Sequence, residues 1–364
     1  MMSSLTDAIS DDLAVDGRLC SIPGLPEPRE KPLFNAENLT LSGEGRLFVT
    51  GSLAVYEIAG DEDGIFRQQE IPITARDVPR NCLMNGITAL GNSLYLACTH
   101  IHRGEDSLLP DLMGDVRKID QNSGVLLLML AEAVYRVDSY LVRADLGQGS
   151  PAFTEGIRLP GKCFANGLDG DGKGNLYVTN SVVGGSPNLL AVCFPQGCGT
   201  TTLGNVWRRP LERGTPNGVK FKADPTGNYI YYTCLHGLPV WASTLQRVKI
   251  MPDGCAGEAE IVYRSLFSIF DDFDIVNNGF VIANIWSIPH RSGCLLFVTN
   301  NGELKGLFRS QDLKSPSSVQ IVKQKRGLFE KGDILITEKG RHCVSWLKLG
   351  DHWRQWLVGT SAHP

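Results

Sequence analysis

The sequence has little that would hold it to a nucleic acid or carry it across a membrane. Its 364 residues include 35 Lys and Arg against 39 Asp and Glu, which gives a net charge of −4. The basic excess that neutralises phosphate groups is therefore missing. The longest apolar run, Val125 to Ala131, is far shorter than the roughly 20 residues that cross a bilayer. We expect no nucleic-acid partner and no membrane span, but a small-molecule substrate and a monomer or weak homo-oligomer.

Targeting signals and structural cysteine pairs are also scarce. The first 17 residues are acidic and lack the basic start and apolar stretch of a secretory signal, which predicts a cytoplasmic protein. The ten cysteines are scattered along the chain, and none has the paired Cys/His spacing of a zinc finger. Because a chain of this length does not depend on disulfides for its stability, we expect these cysteines to be reduced and mostly buried.

Glycine, by contrast, is abundant, with 40 residues beside 19 prolines, and much of it recurs in a repeated pattern. A polar residue opens a short strand, a glycine follows eight or ten residues later at a tight turn, and a second apolar strand begins at once. Four segments have this layout: AENLTLSGEGRLFVT, ANGLDGDGKGNLYVT, PNGVKFKADPTGNYIYYT and DDFDIVNNGFVIAN. A shortened copy contains MNGITALGNSLYLAC, and a degenerate copy ends in DILITEKG. Each segment is predicted to be a β-hairpin.

Six units of about fifty residues, each with two further strand-like runs, are typical of a six-bladed β-propeller. The predicted all-β fold has four-stranded antiparallel blades around a central channel. We expect the propeller over residues 34–358, with an insertion at about 103–150 that could cap the channel or form part of an ordinary long blade. Residues 1–33 would form an N-terminal segment whose run GRLCSIPG could close the last blade, and residues 359–364 a tail. In the last blade, CVSWLKL and WRQWLV are the expected outer strands.

The opening polar residues occupy one repeated position, so the propeller would bring them together on its axis. They are Glu37, Asn85, Asn166, Asn217 and Asp271. Two carboxylates and up to three amide oxygens favour a divalent cation, Ca²⁺ above all, with Mg²⁺, Mn²⁺ or Zn²⁺ as other possibilities. The alternative is that these residues only cap turns at the strand entrances.

The same motifs resemble those of the gluconolactonase/regucalcin (senescence marker protein) family, with paraoxonases and strictosidine synthase as more distant relatives. The resemblance extends from Phe34 to Trp356 and is most specific in ANGLDGDGKGNLYVT and PNGV. It implies metal-assisted hydrolysis of a lactone or ester, with Glu37, Asn166, Asn217 and Asp271 as metal ligands.

Two positions depart from the patterns of these relatives. Sugar-lactone members of the family carry an arginine where this chain has Phe164, and paraoxonases carry a histidine where it has Asn85. The resemblance therefore implies a substrate other than a simple aldonolactone.

The expected chemistry is attack by an activated water on a carbonyl polarised by the cation. Asp271 is the first candidate for the general base, with Asp272 a weaker one because strand alternation turns it away from the channel. His100 and His236 are further candidates for acid or base, since histidine titrates near neutral pH. Phe164, Phe273 and Trp286 would line a hydrophobic pocket, although strand aromatics are often part of a core.

The sequence leaves other functions open. The same channel could catalyse a non-hydrolytic isomerisation, cyclisation or condensation in specialised metabolism. A propeller that binds calcium or protein partners without catalysis is the second alternative, but such a scaffold would not need two carboxylates among axial amides.

Overall fold

A computed structural model shows the architecture of the chain. It describes residues 13–25, 36–51, 54–60, 65–80, 82–102, 136–147, 149–181, 188–193, 207–210, 214–237, 242–287 and 292–359. Residues 103–135 of the predicted insertion, and with them most of the possible cap, lie outside these ranges. Among the described residues, no helix is long and apolar enough to cross a membrane.

Six four-stranded antiparallel sheets make up the fold, which confirms the predicted six-bladed propeller. Blades one and two are formed by β2 (Ala36–Leu41), β3 (Leu47–Gly51), β4 (Ala54–Gly60) and β5 (Phe66–Ile71), then by β6 (Leu83–Leu90), β7 (Ser93–His102), β8 (Arg136–Asp145) and β9 (Phe153–Arg158). Blades three and four are formed by β10 (Ala165–Gly170), β11 (Asn175–Asn180), β12 (Asn188–Cys193) and β13 (Trp207–Pro210), then by β14 (Thr215–Asp224), β15 (Gly227–His236), β16 (Ala242–Ile250) and β17 (Ala256–Leu266).

Blade five follows the same order, but blade six takes its outermost strand from the start of the chain. Blade five is formed by β18 (Ser268–Val276), β19 (Gly279–Ser287), β20 (Ser292–Thr299) and β21 (Leu304–Phe308). Blade six is formed by β22 (Pro316–Ile321), β23 (Ile334–Glu338), β24 (Cys343–Leu349) and β1 (Gly17–Ser21). The run GRLCSIPG thus contains a strand that fastens the last blade.

The innermost strands lie side by side in a closed ring. Each of β2, β6, β10, β14, β18 and β22 packs against the next, and β22 packs against β2. The described apolar core falls into six clusters, each between two neighbouring blades. Strands such as β3 are buried on both faces because each blade is covered by a blade on either side.

All six inner hairpins carry the same irregularity. The pairing of the first two strands is interrupted near the start of the inner strand, for example between Ala36 and Leu39 and between Ala165 and Leu168. The interruption recurs in the other blades. The polar residue that opens each repeat lies within it, so these residues share one position at the mouth of the channel.

One sequence prediction about strands is wrong. WRQWLV is part of helix α1 (Asp351–Val358), not an outer strand of blade six. The indole of Trp353 in this helix packs 5.1 Å from the ring of Phe297, which seals the end of the core between blades five and six. In the predicted insertion, residues 136–145 form the third strand of blade two, where every residue of β8 pairs with β7.

The expectation that all cysteines are reduced is also wrong. Cys82 and Cys98 form a disulfide between the approach to β6 and its partner strand β7. Both are completely buried. Cys163, Cys234 and Cys294 are buried and form no disulfide, as expected. The disulfide removes one argument for the predicted cytoplasmic location, since disulfides persist mainly in oxidising compartments.

Candidate functional site

A lysine that the sequence analysis did not single out lies between the two predicted axial carboxylates. The ammonium nitrogen of Lys339 is 2.7 Å from Oε2 of Glu37 and 2.8 Å from Oδ2 of Asp271. Such short separations are typical of charge-assisted hydrogen bonds. Asn217 adds a third contact, in which its side-chain amide donates to Oδ1 of Asp271 at 2.6 Å. These four residues form what we call the mouth cluster.

The position of blade six in the ring explains how Lys339 reaches both acids. Glu37 belongs to blade one and Asp271 to blade five, which are the two neighbours of blade six. Lys339 directly follows β23, so its side chain starts between them. At the repeated axial position blade six has Ser317, whose hydroxyl donates to the backbone carbonyl of Ala36 at 2.8 Å. Blade six therefore contributes an ammonium group where the other blades contribute carboxylate or amide side chains.

Burial and mutual attraction determine the charges of the mouth cluster. Only 2% of Asp271 and 7% of Glu37 is exposed to solvent. Burial raises the pKa of Asp271, an effect that the Lys339 ammonium opposes and the Glu37 carboxylate reinforces. Burial lowers the pKa of Lys339, but the attraction of Asp271 and Glu37 outweighs it and the pKa lies above its usual value. Lys339 is therefore a permanent cation and not an amine nucleophile.

The other two predicted axial residues occupy the equivalent position in blades two and three. Asn85 is buried, and its amide donates to the backbone carbonyl of Ala165 at 2.7 Å, which links blade two to blade three. Asn166 is partly exposed at the mouth of the channel.

The mouth cluster, as arranged, does not fit the divalent cation that the sequence predicted. Calcium binds oxygen at about 2.3 to 2.6 Å, and an ion at that distance from both carboxylates would overlap the Lys339 ammonium. The amide of Asn217 points its nitrogen, not its oxygen, at Asp271. Within the described part of the chain, no group of three or more His, Cys, Asp or Glu side chains is arranged to hold a metal ion.

The two candidate histidines lie on second strands of their blades. His100 is on β7, opposite Asp138 of β8. His236 ends β15, and its Nε2 is 2.9 Å from the hydroxyl of Thr244 in the same blade. Burial, with a smaller contribution from Arg264, lowers the pKa of His236. His236 is therefore a neutral imidazole that is hydrogen-bonded within blade four.

Of the three aromatic residues predicted to line a pocket, one lies in the core and two lie at the mouth of the channel. Phe273 is completely buried in the cluster between blades four and five, 6.3 Å from the ring of Phe280, so its assignment to a pocket is wrong. Trp286 lies near the end of β19 with 37% of its surface exposed. Phe164 is partly exposed directly before β10. The strand directions place both of these at the mouth end of the propeller.

A second group of charges lies deeper along the inner strands. Nζ of Lys220 is 3.0 Å from Oδ2 of Asp272, and the hydroxyl of Ser318 donates to the same oxygen at 2.7 Å. Asp169 accepts the backbone N–H of Phe221 at 2.7 Å. Asp272 is thus a link between blades four, five and six through its Oδ2.

Lys339 was not singled out in the sequence, because its position beside the two acids follows from the order of the blades and not from any motif. The one signal in the sequence is indirect. The sixth repeat has serine at the axial position, while DILITEKG contains a lysine directly after the second strand. A repeat that has neither a carboxylate nor an amide at the axial position, but a lysine one residue past a strand end, indicates that this blade contributes a cation to the mouth.

No protein-family model matches the sequence, and no curated protein matches it. Solved structures with the same fold include the apo-form soluble aldose sugar dehydrogenase of Escherichia coli, with a TM-score of 0.57, 11% identity, and coverage of 92% of this chain and 99% of that one. The PQQ-bound aldose sugar dehydrogenase of Streptomyces coelicolor gives a TM-score of 0.52 at 10% identity, covering 93% and 100%. A glucose dehydrogenase gives 0.53 at 10% identity, covering 92% and 99%. At such low identity these similarities establish the propeller fold and nothing more specific.

Proposed function

We propose that the chain is an enzyme that opens a lactone or ester, most readily a hydrophobic one, at the mouth of the propeller channel. The observation that carries this proposal is the Lys339 ammonium held between Glu37 and Asp271. A fixed cation beside carboxylates supplies the two elements of carbonyl hydrolysis, a donor for the developing oxyanion and an acceptor for the proton of water.

Lys339 is the donor for the carbonyl oxygen. Two of its three N–H groups point at Glu37 and Asp271, which leaves the third for a substrate. Held by two buried acids, the ammonium group does not need to reorganise as negative charge forms on the substrate oxygen. Such preorganised donors contribute strongly to acyl transfer, and the loss of one typically costs a hundredfold or more in rate.

Glu37 is the better placed proton acceptor. Both oxygens of Asp271 are engaged, Oδ2 by Lys339 and Oδ1 by Asn217. Among the described contacts of Glu37, only Oε2 is used, by Lys339. We therefore propose that Oε1 of Glu37 takes the proton of the attacking water as the new carbon–oxygen bond forms. The same carboxyl group returns that proton to the leaving alkoxide as the original acyl carbon–oxygen bond breaks. Asp271, the base favoured by the sequence, positions Lys339.

Trp286 and Phe164 support a hydrophobic substrate. Both are partly exposed at the mouth end of their blades, and exposed aromatic rings offer apolar contact to a ligand. Phe164 occupies the position at which the family resemblance would place an arginine, so a sugar acid would lose that contact.

The test compares three isosteric variants on a panel of aliphatic and aryl lactones and esters. Glu37→Gln should lower kcat by about a hundredfold to ten-thousandfold, because the amide still accepts from Lys339 but does not take a proton. Asp271→Asn should lower kcat less, since asparagine still offers one acceptor. Glu303→Gln, in an exposed turn, is the matched control and should leave kcat unchanged.

Two results would contradict these assignments. If no lactone or ester is turned over by the native protein, the proposed reaction is wrong. If Asp271→Asn abolishes turnover while Glu37→Gln retains it, the base is Asp271 as the sequence suggested.

A non-hydrolytic isomerisation or cyclisation is the second candidate, and the same ammonium group favours it. An ammonium group stabilises an enolate as well as a tetrahedral oxyanion, and a neighbouring carboxylate removes the substrate proton without any water. Reaction in water enriched in oxygen-18 distinguishes hydrolysis from isomerisation or cyclisation. Hydrolysis incorporates the label into the product carboxylate, and isomerisation does not.

A further inference from the structure

We propose that Lys339 is a built-in substitute for a divalent cation, so that the native channel mouth works without a metal and removal of the ammonium group creates a calcium site there. This inference concerns cation binding and goes beyond the proposed reaction. It holds whether or not the chain hydrolyses lactones.

The first support is the balance of charge. Glu37 and Asp271 come from blades on opposite sides of blade six, and both are buried. Among their described contacts, Lys339 is the one cation that touches both. Two buried carboxylates left without a partner are strongly unfavourable. Without Lys339 two buried carboxyl groups would face each other with no cation between them, and a calcium ion carries the charge that would neutralise both of them in their ionised form.

The second support is mutual exclusion. The ammonium nitrogen is 2.7 and 2.8 Å from the two carboxylate oxygens, and a calcium ion bound to the same oxygens would lie at about 2.3 to 2.6 Å from them. Both cations would need the same small volume. The native protein therefore has no room for the ion unless the lysine leaves.

The third support is the supply of neutral oxygens. Asn217 already contacts Asp271, and a half-turn of its terminal torsion would exchange nitrogen for oxygen at that point. Asn166 holds the equivalent position in blade three and is partly exposed at the mouth. Calcium takes six to eight oxygen ligands, including amide oxygens and water. Two acids and two amides would provide a partial shell that water completes.

The test measures calcium binding to the native protein and to Lys339→Ala by isothermal titration calorimetry, after treatment with a chelator. The native protein should bind no calcium at the mouth, and its melting temperature should not change with added calcium or chelator. Lys339→Ala should bind one equivalent at least tenfold more tightly than the native protein. It should melt at a lower temperature than the native protein without calcium and regain part of the difference with calcium.

Two matched variants identify the site. The double variant Lys339→Ala/Glu37→Gln should lose the calcium response, because one of the two charges is gone. Lys325→Ala removes an exposed lysine that is also paired with a glutamate and should gain no calcium binding. If Lys339→Ala folds only when calcium is present, calcium-dependent refolding that the double variant does not share supports the same conclusion.

Two outcomes would overturn the proposal. One is stoichiometric calcium or manganese binding by the native protein that Glu37→Gln abolishes, which would mean that the lysine gives way to the metal. The other is a folded Lys339→Ala that binds no divalent cation. Neither result depends on a lactone being the substrate, so a failure here is distinct from a failure of the proposed function.

Discussion

Single charged residues neutralise acids from neighbouring blades at two depths of the propeller. Lys339 does so at the mouth, and Lys220 does so three residues further along the inner strand than the axial Asn217. Burial lowers the pKa of Lys220, but Asp272, Asp169 and Asp274 together raise it above its usual value. Each lysine is therefore charged in the folded protein.

Replacement of Lys220 by methionine should strongly destabilise the protein. Methionine retains most of the apolar stem but leaves Asp272 buried without its ammonium partner, which typically costs about 3 kcal/mol or more. Urea unfolding should show a lower midpoint with a similar slope. Lys325→Met, at an ion pair whose lysine side chain is 67% exposed, should change the midpoint little. A similar small effect of both substitutions would contradict a neutralising role for Lys220.

At the scale of strands, a repeated threonine links four of the six blades to the next blade. Thr50, Thr179, Thr233 and Thr337 hold equivalent positions on second strands, and each hydroxyl donates to the backbone carbonyl of an axial residue in the following blade. In blade three, the hydroxyl of Thr179 also accepts the backbone N–H of Gly167 at 2.7 Å. The threonine that ends motifs such as LFVT and LYVT thus holds the backbone on which the mouth cluster is built.

Thr179→Val should destabilise the protein by about 1–3 kcal/mol, because the carbonyl of Asn217 and the N–H of Gly167 lose their partner in a buried place. Thr179→Ser keeps the hydroxyl and should lower the free energy of unfolding much less. Chemical denaturation of the valine and serine variants measures the difference in their free energies of unfolding. Equal stability of the valine and serine variants would show that the hydroxyl contributes nothing.

For the whole molecule, closure of the ring depends on the pairing of β1 with β24. Every residue of β1 has a partner in β24, and Val15, just before it, is buried against the core between blades five and six. Without β1, blade six would have three strands and an exposed edge. Exposed strand edges are templates for pairing with other chains.

Deletion of residues 1–21 should therefore destabilise the protein and promote association. The loss of Val15 alone removes apolar burial worth roughly 1.5–3 kcal/mol. Size-exclusion chromatography should show species larger than the native protein, and a synthetic peptide of residues 13–25 should restore the native profile by adding the missing strand. Arg18→Ala, at an exposed position of the same strand, should behave as the native protein. A truncated chain with the native elution profile and native stability would rule out this role for β1.

The amino-acid sequence by itself determined the propeller and the equivalence of its axial residues. A hairpin with a glycine turn is formed by residues that are close together in the chain, so its pattern is visible in the sequence. The recurrence of this pattern about every fifty residues reveals the blades. The position of Glu37 and Asp271 within the same interruption of pairing follows from that repeat.

Only the tertiary structure decided what lies between these acids. Lys339 meets Glu37 because blade six closes against blade one, which joins the two ends of the chain, and no local pattern encodes that contact. The disulfide also depends on tertiary structure, because strand pairing brings Cys82 and Cys98 together. Phe273 belongs to the core because blade four packs against blade five at this position. Contacts between blades depend on how the whole ring closes, and the chemistry at the channel mouth depends on those contacts.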